Sequence, residues 1–435
     1  MPWPEPVDLE SVLAACGRPG IDLDLRRIGA ALAAGGHPER RFPAVQVAGT
    51  NGKGSIATLL HAILQAAGWR AGVYRSPHLR SWCERIQLGD SWVDGATLKA
   101  DLERWQPLAA EHSLTVFELF TAAAMDRFAR SDLDLVVLEV GLGGRLDATT
   151  AHPDRRVVGF GPIGMDHQDY LGTSLAAIAA EKAGVMARGQ VAISAPQPPA
   201  AADTLEHQAR IRGCQLRWVE PLPAEVDGGP PLGLPGTFQR ANAAVAVAMA
   251  SALRQGGWAI PEEAIRRGLR QAHWPGRLER RAFRGRPLLL DGAHNPPGAL
   301  ALRGELDHLA AVEGAEGTIA GRRWLLAIQR GKDGPAVVDA LLQPNDTAAI
   351  VALKDLPCWS TEDLLKARPN LQGRLRSVAH PLQGLEWLAD GGDSLPVVAG
   401  SLHLLGEVWC FLDSPSQPPP PERDGQPLGR IGPLG

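Results

Sequence analysis

The sequence predicts an α/β protein: a doubly wound, mostly parallel sheet, followed by a second, smaller α/β domain. Three observations carry this reading. Short apolar runs such as Ala44-Val45-Gln46-Val47-Ala48 and Leu135-Val136-Val137-Leu138 alternate with helical stripes. The runs are almost continuously apolar, as strands buried on both faces are. Near His273-Trp274-Pro275-Gly276 the pattern resets, and a second strand-helix series begins.

Taken in order, residues 8 to 35 read as amphipathic helical segments. The run 44 to 48 stops at Gly49, turns through small residues around Lys53, and gives way to a stripe of Ile56, Leu59, Leu60, Ile63 and Leu64. Arg70 to Tyr74 is a second strand, ending at Ser76-Pro77-His78-Leu79. Phe117 to Phe128 is a helix with Phe117, Phe120, Ala124 and Phe128 on one face. Asp134 to Val140 is a buried strand broken by one acid, Glu139. Val157 to Ile163 leads into Gly164-Met165-Asp166-His167, and a helix from about Ser174 to Met186 follows. Val191 to Ser194 and Gln215 to Val219 suit a sheet edge, 196 to 199 and 228 to 231 are loop, and Gln239 to Leu253 is an alanine-rich helix. The second series runs through Pro287 to Asp291, Trp324 to Ile328, Ala348 to Leu353 and Leu395 to Ala399.

A chain of 435 residues exceeds what one core supports, so two domains are expected, over 1 to 275 and 285 to 413. The proline-rich tail over 414 to 435 cannot bury a core and is expected to be disordered. The 44 basic residues do not exceed the 48 acidic ones, which argues against a nucleic-acid partner. The start lacks a basic, apolar leader, and no run of about twenty apolar residues could span a membrane. The five cysteines are scattered and never spaced C-x-x-C, so reduced thiols and no zinc site are expected. A monomeric cytoplasmic protein acting on small molecules is the expectation.

Chemistry is expected at strand ends. Gly49-Thr50-Asn51-Gly52-Lys53-Gly54-Ser55 points backbone N–H groups at the positive end of a helix, where a polyphosphate can sit beside the Lys53 charge. The strict phosphate-loop spacing is not met, since Val47 stands where its first glycine would fall and Gly54 where Ser or Thr would follow the lysine. A plain glycine-rich turn is the alternative. Glu139 is costly to bury alone, so either it pairs with an arginine such as Arg145 or it holds a metal ion. Ser76 and His167 could converge with it as a shell for Mg²⁺ beside phosphates, although imidazole is unusual for that ion. Arg145, in Gly141-Leu142-Gly143-Gly144-Arg145-Leu146-Asp147, could neutralise an anionic ligand, and Lys182 by default would be a solvated helix lysine.

Taken jointly, that loop, Ser76-Pro77-His78-Leu79, Glu139-Val140-Gly141-Leu142-Gly143-Gly144-Arg145-Leu146-Asp147-Ala148-Thr149, Gly164-Met165-Asp166-His167 and Glu181-Lys182-Ala183-Gly184 resemble the folylpolyglutamate synthase and dihydrofolate synthase family, within the Mur ligase superfamily. Trp274-Pro275-Gly276-Arg277-Leu278-Glu279, Asp291-Gly292-Ala293-His294-Asn295-Pro296 and Gly400-Ser401-Leu402 extend the match, which covers roughly residues 8 to 412. The resemblance implies a P-loop-type ATP-binding domain followed by a Rossmann-like domain. It implies that Asn51, Gly52, Lys53, Gly54 and Ser55 hold the ATP phosphates, with Asn242, Arg277 and Asp291 completing the nucleotide site. Ser76 and Glu139 would bind one Mg²⁺ and His167 a second, helped by Lys182 as a carbamate. Thr115, Phe117, Glu118, Leu146, Asp147 and Ala148 match the segments that receive the pteroate substrate.

The implied activity is ATP-dependent ligation of L-glutamate to dihydropteroate, and to a folate's glutamyl tail, through an acyl phosphate. His294 would help stabilise the oxyanion of the tetrahedral intermediate. Gly161-Pro162, His403 and Gly331-Lys332-Asp333 depart from the family's usual residues, and none is expected to touch the proposed ligands. Two other readings remain open: a ligase of the same superfamily acting on another carboxylate, and a non-catalytic nucleotide-binding switch.

Overall fold

A computed structural model describes residues 3–14, 16, 20–312, 321–354, 356–391 and 395–412. The 414 to 435 tail, expected to be disordered, lies outside the described residues. Two sheets organise the chain. The first contains β1 (Ala44–Ala48), β2 (Ala71–Tyr74), β3 (Ile86–Leu88), β4 (Ser91–Trp92), β5 (Leu135–Glu139), β6 (Arg155–Phe160), β7 (Val191–Ser194) and β8 (Gln215–Trp218), in the order β4-β3-β2-β5-β1-β6-β7-β8. β1, β2, β5, β6, β7 and β8 pair in parallel. β3 and β4 add an antiparallel corner that carries no apolar run to announce it.

β1 and β5 are buried at every position, so both faces of the sheet must be covered. On one face the helices Lys53–Ala66, Gln239–Gln255 and Glu262–Gln271 pack Ile56, Leu60, Val245 and Leu269. On the other, Gly95–Glu111 and Val116–Ala129 bring Leu102, Phe120 and Phe128 against Val136 and Leu138. The helix Pro199–Arg212 begins within a stretch whose prolines read as loop. Proline is harmless at a first helical position, whose N–H has no partner within the helix.

The second sheet contains β9 (Glu279–Phe283), β10 (Arg286–Leu290), β11 (Arg323–Leu326), β12 (Thr347–Val351), β13 (Leu375–Val378) and β14 (Val397–Ala399), in the order β13-β12-β11-β14-β10-β9. β9 is antiparallel to β10. Its sequence, Glu-Arg-Arg-Ala-Phe, has no apolar run, so the series begins earlier than Pro287.

The two halves meet along the carboxyl ends of β1, β2, β5 and β6. Gly406, in the helix Leu402–Trp409, lies so close to the Leu79 carbonyl that a side chain there would collide. Asn51 and Asn295 exchange amide hydrogen bonds of 3.0 and 3.1 Å across the seam. No described helix is long and apolar enough to cross a membrane.

Candidate active site

β1 delivers the chain at Gly49, and the helix Lys53–Ala66 leaves from the turn that follows. Gly52 has φ 77°, a left-handed conformation, and a Cβ there would strike Asn242 Oδ1. Thr50 and Asn51 both donate their N–H groups to Pro162 O, at 2.9 and 3.1 Å. Gly161-Pro162, expected to stand apart, is therefore the floor on which the loop is built. Lys53 Nζ donates to Thr50 O at 3.0 Å and so is folded back over the loop.

Glu139 ends β5 and is 4% exposed. Its Oε2 accepts the Ser76 N–H at 3.2 Å. Burial pushes its carboxyl up, and Lys53, the Ser76 N–H, Arg75 and Arg277 oppose that. The alternative of pairing with Arg145 does not hold. Arg145 binds Glu181 at 2.9 Å and is half exposed, so it is not aimed at an anionic ligand either.

His167 follows β6 at φ 51°, with its N–H on Asp166 Oδ1 at 2.9 Å. Lys332, from the second domain, donates to Asp166 Oδ1 at 2.7 Å and to His167 Nε2 at 2.9 Å. Burial and then Lys332 pull the His167 imidazole down to about 4. Burial alone would raise the Asp166 carboxyl, but Lys332 and His167 hold it below the usual carboxylate range. Lys332 was expected not to touch the proposed ligands, and it does.

Lys182 is not a solvated helix lysine. It is 4% exposed, and its Nζ donates to Gly49 O at 2.9 Å. Burial, then the neighbouring Lys53, pulls it down to about 7. Gly144 packs on the Lys182 backbone and Gly184 on Arg145, which fixes the glycine-rich loop to the helix Leu175–Ala183.

These groups share a cavity of about 240 Å³, lined by Gly49 to Ser55, Ser76, Glu139, His167, Lys182, Asn242, Arg277, Asp291 and His294. Four strand ends thus bring Lys53, Ser76, Glu139 and His167 together. Asn242 Nδ2 donates to Gln239 Oε1 at 2.8 Å, while its buried Oδ1 has no protein partner. Asp291 accepts the N–H groups of Leu278 and Ala293 at 3.0 and 2.8 Å, so its side chain shapes the loop that presents Arg277. His294 Nδ1 lies 2.8 Å from Gly292 O. A carbonyl only accepts, so Nδ1 carries the proton and Nε2 offers a lone pair. Burial, then Lys332, pulls this imidazole down to about 4.

A second cavity of about 310 Å³ adjoins the first and shares Ser76, Gly141, Leu142, His167, His294 and Leu402 with it. Thr115, Phe117, Glu118, Leu146, Asp147 and Ala148 all line it. Their polar groups are largely committed inward. Thr115 and Glu118 form a capping box on the helix Val116–Ala129, and Arg27 pairs with Glu118 at 3.2 Å. Asp147 accepts the Leu142 and Thr149 N–H groups at 2.9 and 3.0 Å. The wall also includes Gly20 to Leu23, Arg85, Lys332 and His403, none of which was singled out for this cavity from sequence. Arg85 stacks on Trp82 at 4.5 Å and donates to His78 Nδ1 at 3.1 Å.

No three or more His, Cys, Asp or Glu side chains cluster as a metal cage among the described residues. Mg²⁺ needs none, since it keeps most of its shell as water and phosphate oxygen around one or two carboxylates. A buried carboxylate and a hydroxyl beside a phosphate cradle fit that requirement, and His167 joins them once its Nε2 lone pair is released by Lys332.

Known proteins of one family resemble this chain in sequence and fold. A family model described as dihydrofolate synthetase, C-terminal domain, matches residues 277–412. The folylpolyglutamate synthase of Lacticaseibacillus casei is 32% identical over 413 residues, spanning 88% of this chain and 93% of its own length. The solved structure of E. coli FolC in complex with DHPP and ADP superposes with a TM-score of 0.80 at 30% identity, covering 92% of this chain and 96% of that one. A bifunctional folylpolyglutamate synthase/dihydrofolate synthase solved with Mn, AMPPNP and L-glutamate bound gives 0.76 at 30% identity, covering 92% and 97%. The chain therefore belongs to the folylpolyglutamate synthase/dihydrofolate synthase family.

Proposed function

We propose that this chain joins L-glutamate to dihydropteroate and to the γ-carboxylate of folates, using ATP and activating the acceptor carboxylate as an acyl phosphate. One observation carries the reading: the cavity walled by the Lys53 loop adjoins a more apolar cavity, and Ser76, His167 and His294 belong to both walls. A carboxylate reaching through that wall meets the γ-phosphate end of the cradle.

Carboxylates resist amine attack, so the acceptor oxygen first takes the γ-phosphoryl group and ADP leaves. Lys53 offsets charge as the phosphoryl group moves. Ser76, Glu139 and His167 are the residues to hold divalent metal, with Lys182 as a carbamate beside them and two ions as our assignment. That metal would supply charge neutralisation on the phosphates. The glutamate amine then attacks the carbonyl and phosphate leaves. The attacking ammonium must first lose a proton. His294, neutral and with Nε2 unprotonated, cannot donate to an oxyanion from that nitrogen, and its depressed basicity suits it to orient the amine as a hydrogen-bond acceptor while the departing phosphate takes the proton. Burial of the shared wall by the second domain keeps water from the acyl phosphate.

The pteroate or folate ring system occupies the larger cavity, against Phe117 and Ala148, with a monomer as the working unit. The test is ADP release by the purified protein with ATP, Mg²⁺ and L-glutamate, comparing dihydropteroate with tetrahydrofolate. Glutamate-dependent release with either acceptor is expected, and release with neither would remove the proposal.

A further inference from the structure

The helix Leu402–Trp409 begins in the wall of the larger cavity, where Ser401, Leu402 and His403 line it, and ends at Trp409 on the seam between the domains. Trp409 is clasped from the other side by the start of the chain. The Trp3 ring lies 5.1 Å from the Trp409 ring, edge on, and 5.4 Å from Trp92, in β4 of the first domain. The Arg80 guanidinium covers the same Trp3 ring at 5.3 Å. Behind Trp3 the segment is tied to the first domain. Ser81 Oγ donates to Glu5 O at 3.2 Å, and Val7 and Leu9 enter the core that holds Leu98 and Leu102. Trp3 itself packs with the second-domain core, beside Val408 and Trp409. One extended segment therefore has its root in one domain and its ring wedged between that domain and the other.

We propose that Trp3 is a positioning residue: it clasps the far end of the Leu402–Trp409 helix to the first domain and thereby holds Ser401 and His403 in the wall of the acceptor cavity. The proposal rests on the assignment of that cavity to the pteroate or folate substrate. The helix has little freedom to adjust along its length, because Gly406 already touches the Leu79 carbonyl and Gly276 packs under Leu405. Movement at Trp409 is therefore a tilt of the whole helix, felt at its first turn.

Trp3→Ala and Trp3→Phe, each checked for an unchanged far-UV spectrum, test this. In Trp3→Ala the KM for dihydropteroate or tetrahydrofolate should rise roughly tenfold, as expected on losing two aromatic pairs. ADP affinity should fall by less than the acceptor KM rises, because the Asn51 to Ser55 cradle lies on the first domain and only Arg277, Asp291 and their neighbours reach the nucleotide cavity from the other side. Small-angle scattering of the unliganded protein should show a larger radius of gyration, and Trp3→Phe should restore both readings. A folded Trp3→Ala protein with unchanged scattering and unchanged KM would overturn the proposal. So would a fall in kcat alone, which marks a merely structural loss. If the wild type turns over neither acceptor, the cavity assignment has failed, and the scattering difference still decides whether Trp3 is a clasp.

Discussion

Lys332 Nζ, carried by the second domain, lies 2.9 Å from His167 Nε2 of the first and 2.7 Å from Asp166 Oδ1. The Asp166–Lys332 pair is buried, each side chain 8% exposed, and Asn295 adds a second cross-domain bond to Asp166 at 2.8 Å. One ammonium thus contributes to the contact between the domains and also faces a candidate metal ligand. Removing one partner of a buried ion pair costs about 3–5 kcal/mol, because the other charge is left uncompensated. In Lys332→Met that loss falls on the contact between domains, not on either core. Turnover at saturating substrate should fall by roughly two orders of magnitude. Calorimetric ADP affinity should fall by less than turnover does, since the Asn51 to Ser55 cradle stays intact while part of the cavity wall comes from the second domain. Near-normal turnover would show that the contact is incidental.

Lys53 makes a different prediction, since its ammonium donates to the Thr50 carbonyl of its own loop. Its charge opposes the burial of Glu139, whose carboxyl can take up a proton when the ammonium is removed, and the helix it opens keeps Ile56, Leu59 and Leu60 fully buried. Lys53→Ala should therefore keep the thermal midpoint within a few degrees, as surface-type substitutions of about 0.5 kcal/mol do. Glutamate-dependent ADP release should drop by at least about a thousandfold, the scale of a lost charge clamp on a transferring phosphoryl group. Substantial turnover would mean that the loop does not cradle the phosphates.

What was legible in the sequence follows from where each signal resides. Glu139 ends a strand, and Ser76 and His167 lie in the loops just after two others, all with apolar runs visible in the chain, so parallel pairing directs all three toward one rim. Lys332 and Asn295 reach the same rim from the second domain, and no local pattern encodes how two domains dock. Arg145 shows the converse. It stands six positions after Glu139 in sequence, yet the turn sends it to Glu181. Gly20 to Leu23 and Arg85 line the larger cavity from irregular segments, where periodicity is silent. Thr115, Glu118 and Asp147 match substrate segments in the sequence; they line the cavity and also cap the helix and loop beside it.

The position of Lys182 makes activity depend on pH in a stated direction. Its ammonium is held down to about 7 by burial and by Lys53, against an ordinary value of 10.5. Below about 7 the group is charged and cannot take up CO₂; above it the amine is neutral and can. With ¹³C-bicarbonate, a carbamate resonance should grow from pH 6 to pH 8 and vanish in Lys182→Ala. Stability should follow the same sign. Between about 7 and 10.5 the unfolded chain binds a proton at this lysine and the native protein does not, so the contribution of this group to stability rises with pH across that window. Added short carboxylates should partly restore Lys182→Ala turnover. A carbamate signal that ignores the substitution would assign it elsewhere.

Gly141 separates the two cavities and offers a test that distinguishes them. A Cβ at this position would lie 2.5 Å from Phe117 Cζ, closer than real Cβ atoms approach, so the ring must move. Phe117 lines only the larger cavity, and its ring stands 6.2 Å from that of Tyr74, which is fully buried. With Tyr74 behind it, the ring is driven toward the cavity. The phosphate cradle is untouched, because Phe117 does not reach it. Gly141→Ala should therefore raise the KM for the pteroate or folate substrate by roughly tenfold to a hundredfold, the range of overpacking costs of about 1–3 kcal/mol. The KM for ATP should change less than about threefold. Steady-state kinetics with each substrate varied in turn would show the split. Equal increases for both would mean that the two cavities are not separate sites for acceptor and nucleotide.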